Sequence, residues 1–293
     1  MSSRANKILL CVCAVLMVVA VALSVTLIMM TALSPDIHLF DSSAESEETS
    51  DRGEGGSTED ALPVGKGDGS GGSTHTGKRV AITFDDGPSY IPSLDVEYTK
   101  EILDELKKYG YTATFFVVGN RLASHGDALE YIVDAGCEIG IHGYTHDEGV
   151  WYDTCTDGKF ADELSLTVDA IHEYLPDYDV KLMRPYYGRI TDERVKNCDY
   201  AVINWSVDSE DWVNKYKSGD TDKDTERKIN TIVENVMSTV ENGDIILMHD
   251  IYGNTVEATR IILARLHEDG YEVVTVSELL GDPRPGVKYS HGN

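Results

Sequence analysis

The sequence predicts an α/β fold, an incomplete and distorted (β/α) barrel of about seven parallel strands, preceded by one N-terminal transmembrane helix. Three observations carry that expectation. From Lys78 onward, short apolar runs alternate with helix-compatible stretches, which is the pattern of repeated βα units. The residues Asp85, Asp86, His142, Arg184, Asp208 and His249 all fall at or just beyond the C-terminal ends of those runs. Strand ends converge on one face of a barrel, whereas in an open sheet only those at the switch point meet, so a rolled sheet explains the pattern better. Third, Arg4 and Lys7 precede an apolar run from Ile8 to Leu33, broken only by Ser24, Thr26 and Thr31.

That run is long enough to cross a hydrocarbon core of roughly 30 Å. Its positive flank predicts the N-terminus inside and the rest of the chain outside the cell. Ala20-Val21-Ala22 matches the small-residue pattern of a signal-peptide cleavage site, but it lies inside the apolar run, so an uncleaved anchor over residues 1–33 is the expectation. Residues 34–77 contain few large apolar side chains and clusters such as Glu45-Ser46-Glu47-Glu48 and Gly67-Asp68-Gly69-Ser70. They cannot bury enough apolar surface to fold and read as a flexible, self-repelling linker.

Strands are expected at Val80–Phe84, Ala113–Val118, Cys137–Ile141, Val180–Met183, Tyr200–Val207, Asp244–Met248 and Tyr271–Val276. Helices are expected at Val96–Tyr109, Asp127–Ala135, Phe160–Tyr174, Asp192–Lys196, Thr225–Val240 and Thr255–Glu268. Gly110, Gly136, Gly243 and Gly270 follow four of these helices, where C-cap glycines belong. The folded domain is bounded at 78–281, with 282–293, rich in Gly and Pro, as a frayed tail. Cys137, Cys155 and Cys198 allow at most one bridge, and Cys137 reads as a buried free thiol.

The chain carries 51 Asp and Glu against 25 Lys and Arg, a formal charge of −26. Binding nucleic acid needs a basic surface, so that class of partner is excluded. No glycine fingerprint for phosphate follows any strand, which argues against a nucleotide.

Two short clusters carry the chemistry. Thr83-Phe84-Asp85-Asp86-Gly87-Pro88 ends the first strand and His142-Gly143-Tyr144-Thr145-His146 ends the third. Alone, the acid pair reads as a solvated turn and the histidine pair as a surface loop. Brought to one face, one carboxylate and two imidazoles suit Zn²⁺ or a similar first-row ion with positions left open. A second carboxylate beside them can act as a general base, which defines metal-assisted hydrolysis.

These clusters resemble the first two motifs of the polysaccharide deacetylase family, the carbohydrate esterases sharing the NodB homology domain. Arg184-Pro185-Tyr186-Tyr187-Gly188, Asp208-Ser209-Glu210-Asp211-Trp212 and Leu247-Met248-His249-Asp250 are similar to its later motifs in order and spacing, over roughly Lys78 to Leu280. The resemblance implies Asp86, His142 and His146 as metal ligands, Asp85 as general base and His249 as general acid. It implies that Arg184 holds and tunes Asp85, that Asp208 orients His249, and that the Tyr187 N–H donates to the oxyanion. Trp212 and Leu247 would line the acetyl pocket. Asp211 reads as a surface acid, Trp205 as core, and Trp151 and Tyr152 as a packed loop or a sugar-stacking pair. Two positions depart from the family pattern: Gly143 stands where Ser or Thr usually ties down the metal loop, and Tyr186 where Pro is usual.

The expected function is metal-dependent removal of N-acetyl groups from an extracellular glycan, peptidoglycan N-acetylglucosamine first. The expected ion is Zn²⁺, with Co²⁺, Ni²⁺ or Mn²⁺ as alternatives. An O-acetyl xylan esterase and a non-catalytic glycan-binding domain are the rival expectations.

Overall fold

The computed structural model describes residues 77–89, 97–147 and 150–292, all within one compact unit, Gly71–Asn293. The anchor and most of the linker expected from the sequence lie outside the described residues. Among the described residues no helix is long and apolar enough to cross a membrane.

Strand β1 (Lys78–Asp85) is the axis of the fold. It pairs in parallel with β2 (Thr114–Val117) on one side and β7 (Ile245–His249) on the other. Beyond β2 come β3 (Glu138–Ile141), β4 (Leu182–Met183), β5 (Ala201–Ile203) and β9 (Lys288–Tyr289), and beyond β7 comes β6 (Val207–Asp208). β8 (Tyr271–Val273) pairs with the opening residues of β1. Every pairing between named strands is parallel. The helices are α1 (Tyr98–Tyr109), α2 (Gly119–His125), α3 (Ala128–Asp134), α4 (Asp157–His172), α5 (Asp192–Lys196), α6 (Asp222–Met237), α7 (Gly253–Glu268) and α8 (Val276–Leu280).

The connection from β5 to β6 shows that the sheet is rolled. These strands stand towards opposite ends of the sheet order, yet only Asn204–Ser206 separate them. Four Cα steps reach at most about 14 Å, so the two ends of the sheet must approach each other. Hydrogen bonding does not close the barrel there, and the C-terminal segment occupies the gap. β9 pairs with β5, His291 bridges Asp244, and the Gly292 N–H donates to the Gly243 carbonyl. The described part of the tail expected to fray at 282–293 is therefore a docked strap, because the unpaired edge of β5 offers it backbone partners.

The side-chain period of two divides β1 between two environments. Val80, Ile82 and Phe84 face outward into the main core with Ile102 and Leu106 of α1, Ile232 of α6 and Ile262 of α7. Ala81 faces inward with Phe116, Leu182, Ala201, Ile203 and Ile245. Continuing the alternation puts Thr83 and Asp85 on the inner face, with Asp85 at the strand's C-terminal end. Because both faces are covered, the strand reads as an unbroken apolar run.

Most helices start and stop on local signals. Gly110 caps α1 in the left-handed region (φ 68°), and Thr221 with Asp224 forms a capping box at α6. Two expectations need correction besides the tail. The single strand expected at Tyr200–Val207 is split into β5 and β6, since the Ile203 and Asn204 carbonyls turn inward to accept from Arg184. Trp205, expected in the core, packs half-buried against the inner cluster from that break and also lines the cleft described below. Cys137 is a buried free thiol as expected, its pKa pushed up to about 11 by burial, and Cys155 and Cys198 are also free.

Candidate active site

The strand tops open into a cleft of about 540 Å³ lined by Asp85, Asp86, His142, His146, Tyr187, Trp205, Asp208, Trp212, Lys215, Leu247, His249 and Tyr252. At its floor, β1 ends on Asp85 and the chain turns sharply at Asp86, whose backbone is left-handed (φ 72°). β3 ends on Ile141, and His142 follows with its N–H still donating to the Val117 carbonyl.

Asp86 Oδ1 lies 3.4 Å from His142 Nε2 and 3.2 Å from His146 Nε2, and all three atoms fall within 4.8 Å of one another. Bonds of about 2.0–2.1 Å to one tetrahedral ion would hold ligand atoms about 3.3–3.4 Å apart, so the spacing fits. Two further observations agree. Asp86 Oδ1 is buried with no hydrogen-bond partner among the described residues, a costly state for a carboxylate that has no ion to meet. His142 Nδ1 lies 2.9 Å from the Arg184 carbonyl, which can only accept, so Nδ1 carries a proton and Nε2 is the ring nitrogen turned towards Asp86. Burial opposes ionisation of Asp86, but the imidazoles of His142, His249 and His146 hold its pKa well below the usual carboxylate range. Burial lowers the pKa of His146, which favours the neutral, ligating form.

Beside the triad, Asp85 Oδ1 accepts from Arg184 Nη1 at 2.8 Å, and its other oxygen lies 3.7 Å from His142 Nε2. Arg184 is fully buried inside the barrel. It also donates to Thr83 Oγ1 and to the Ile203 and Asn204 carbonyls, and stacks 4.3 Å over Phe116. Burial draws its pKa down, and the Asp85 charge opposes that. A guanidinium held at this many points cannot swing, so it fixes the direction in which Asp85 faces the cleft.

At the end of β7, in register with Asp85 of β1, His249 Nδ1 lies 2.7 Å from Asp211 Oδ1, and the other Asp211 oxygen accepts from the His249 N–H and from Thr255 Oγ1. The expectation that Asp208 orients His249 is therefore corrected: Asp211 does so. The sheet register explains why. Asp208 is paired with Leu247, one pleat below His249, and its Oδ1 accepts from the Glu210 N–H, while the turn after β6 lifts Asp211 to the level of His249. Asp211 is fully buried, not a surface acid. Burial alone would lower the His249 pKa, but the Asp211 carboxylate, with Asp86 and Asp85 beyond it, raises it to about 9.

Tyr187 also lines the cleft, with a left-handed backbone (φ 56°), its ring half exposed and packed 4.8 Å from Trp151. Leu247 forms a nearly buried patch of the floor, and Trp212, 51 % exposed, forms the rim. Tyr152, an alternative partner for a sugar, is fully buried and unable to stack on one. Sequence reasoning missed Asp211, Tyr252, Lys215 and the two residues that brace the metal loop, Glu163 and Tyr186. Tyr186 was visible as a departure from the motif, but nothing in the spacing of Glu163 marked it, since it sits mid-helix in α4.

A rolled parallel sheet with a one-carboxylate, two-imidazole donor set at its strand tops, beside a clamped Asp and a charged His, has the layout of a hydrolase whose donor set could hold one metal ion. The comparisons with known proteins agree. The polysaccharide deacetylase family model matches residues 72–203. The chain is 37 % identical over 202 residues to the peptidoglycan-N-acetylmuramic acid deacetylase PdaC of Bacillus subtilis, covering 69 % of this chain and 38 % of that protein. It is 33 % identical over 212 residues to a peptidoglycan-N-acetylglucosamine deacetylase of Bacillus cereus, covering 69 % of this chain and 88 % of that one. A family 4 acetyl xylan esterase from Clostridium thermocellum, solved in complex with a cobalt ion, superposes with a TM-score of 0.61 at 28 % identity, over 73 % of this chain and 98 % of that one. The chain thus belongs to the polysaccharide deacetylase family, and its match spans about two fifths of the length of PdaC.

Proposed function

We propose that the chain is a metal-dependent hydrolase that removes N-acetyl groups from an extracellular glycan, with peptidoglycan N-acetylglucosamine as first substrate. The observation that supports it best is the set of groups that one cleft brings together. Asp85, clamped by Arg184, and His249, backed by Asp211, end adjacent strands in register and share the cleft with the Asp86–His142–His146 triad. A bound divalent ion, Zn²⁺ in the first place, would polarise the acetyl carbonyl and lower the pKa of a water beside it. Asp85 would take the proton from the attacking water, and Arg184 would keep its oxygen aimed there. His249 would give its Nε2 proton to the departing amine, which leaves poorly without one. Asp211 on Nδ1 directs that proton to the cleft-facing nitrogen. The Tyr187 N–H would donate to the carbonyl oxygen as negative charge develops on it. Trp212 and Leu247 would enclose the acetyl methyl group.

The glycan assignment draws on the two curated relatives above, which are named for peptidoglycan, and on the apolar N-terminal run, which would hold the domain outside the membrane. The likeness to an acetyl xylan esterase supports a second reading. The same groups can release acetate from an ester, whose alkoxide needs less help from His249. The test is acetate release by the full-length chain from N-acetylglucosamine oligomers, peptidoglycan and acetylxylan, with Zn²⁺ and with chelator. Chelator-sensitive release from the amides, reduced by about 10²-fold or more in Asp85→Asn, is the expected result. Release from acetylxylan alone would replace it with the esterase. No release from any substrate by metal-loaded protein would favour a glycan-binding domain.

A further inference from the structure

The loop between the two histidine ligands is braced from an unexpected direction. Glu163 of α4 is 99 % buried with respect to its side chain, which is 1 % exposed, and it faces the loop rather than solvent. Its Oε2 accepts from the N–H groups of Tyr144 (2.7 Å) and Thr145 (2.8 Å) and from the Tyr186 hydroxyl (2.9 Å). Its Oε1 accepts from Thr145 Oγ1 (2.8 Å), with Lys159 Nζ at 3.0 Å. The Tyr186 hydroxyl donates to a group that can only accept, so its lone pairs are left for the His146 N–H, 2.7 Å away. The same ring packs edge-on against His142 (centroids 5.2 Å, 87°) and against His146 at 4.4 Å.

Space for that ring comes from Gly143. Its φ of 84° is left-handed, and a Cβ there would overlap the phenol oxygens of both Tyr152 and Tyr186. His146 is itself left-handed (φ 48°), a conformation that persists in a non-glycine residue only when its surroundings enforce it. A single phenol therefore touches both imidazoles and binds the backbone of the strained one.

We propose that Tyr186 and Glu163 are positioning residues for the metal ligands: they hold His142 and His146 at ligating distance from Asp86, and Gly143 is the gap that admits the phenol. This rests on reading the Asp86–His142–His146 triad as a metal centre. It acts through preorganisation, because a loop already in its bound shape gives up less conformational entropy when the ion enters.

Titration of the full-length apo-chain with Co²⁺, read by its visible absorption, tests this beside Tyr186→Phe, Glu163→Gln, the double variant and Asp86→Asn. Thermal unfolding of each apo-protein is measured in parallel. Tyr186→Phe and Glu163→Gln should each weaken Co²⁺ binding by about 10-fold or more, the usual cost of removing a group that orients a ligand. The double variant should lose less than the sum of the two single ones, since phenol and carboxylate share a hydrogen bond. Turnover in the single variants should recover at saturating ion with an unchanged KM. Unchanged affinity in the folded single variants, with only a lower unfolding temperature, would overturn the proposal while leaving the metal centre intact. A parent chain that binds no more Co²⁺ than Asp86→Asn would overturn the metal reading and this proposal with it.

Discussion

Among the described residues, three of the four non-glycine residues with positive φ, Asp86, His146 and Tyr187, lie in the cleft. Such conformations cost of the order of 1–3 kcal/mol each and survive only where surrounding contacts enforce them. The fourth, Glu210, belongs to the turn that carries Asp211 to His249. That turn makes a clear prediction at the residue scale. The His249 pKa is raised from 6.5 to about 9, chiefly by the Asp211 carboxylate working against burial. A general acid must be protonated, so activity that depends on it persists at neutral pH and falls as pH rises towards 9. A bound cation beside Asp86 would shift that fall to somewhat lower pH. In Asp211→Asn the raising charge is gone and burial dominates, so the alkaline limb of kcat/KM should move down by a unit or more. Asp208→Asn should leave the limb close to its original place. An equal shift in both variants, measured as pH profiles on one amide substrate, would reject the assignment of Asp211. The choice between these acids was not legible in the sequence. Asp208, Glu210 and Asp211 stand within four positions, and only the register of β6 on β7 decides which reaches the imidazole. The ligands were legible, because a strand end and a two-histidine loop leave their spacing in the sequence.

Elements were legible in proportion to how local their causes are. Strands covered on both faces, such as β1, show as apolar runs, and helices such as α1 and α5 show their caps. Less visible were α2 and α8, short helices tucked behind strand ends, and the break at Asn204–Ser206, whose cause is an arginine from another strand. The strap at 284–292 was misread because its Gly and Pro residues look like a frayed end. Its stability comes from the vacant edge of β5 and the Asp244–Gly243 turn, neither of them near it in sequence. Removing residues 282–293 should therefore lower the unfolding midpoint by several degrees, as expected for loss of about 1–3 kcal/mol from a domain of this size. The strap pairs with the start of β7 while the ligands sit beyond the ends of β1 and β3, so Co²⁺ affinity of the folded truncated chain should change little. Calorimetry and metal titration on the same sample check both. A midpoint equal to that of the parent would mean that the strap does not close the barrel.

At the scale of the whole molecule the dominant quantity is charge. A formal net charge of −26 repels any polyanion at long range, and wall material that carries phosphate or carboxylate polymers is one. The cleft rim offers little to offset this: Lys215 lies over the Tyr252 ring, and Arg189, stacked on Trp151, is already paired with Asp153. Salt shortens the range of repulsion from roughly 30 Å at 0.01 M to about 8 Å at physiological strength. Between those strengths, kcat/KM on anionic wall fragments should rise, by about 2- to 10-fold, because encounter is the step that repulsion slows. Uncharged N-acetylglucosamine oligomers should show no comparable rise, since no net charge opposes their approach. Steady-state rates on the two substrates across that salt series separate the effects. A fall with salt on the anionic fragments would mean that Lys215 and Arg189 steer the polymer into the cleft against the charge of the whole chain, and that the domain reads an anionic group of its substrate as well as the acetyl group.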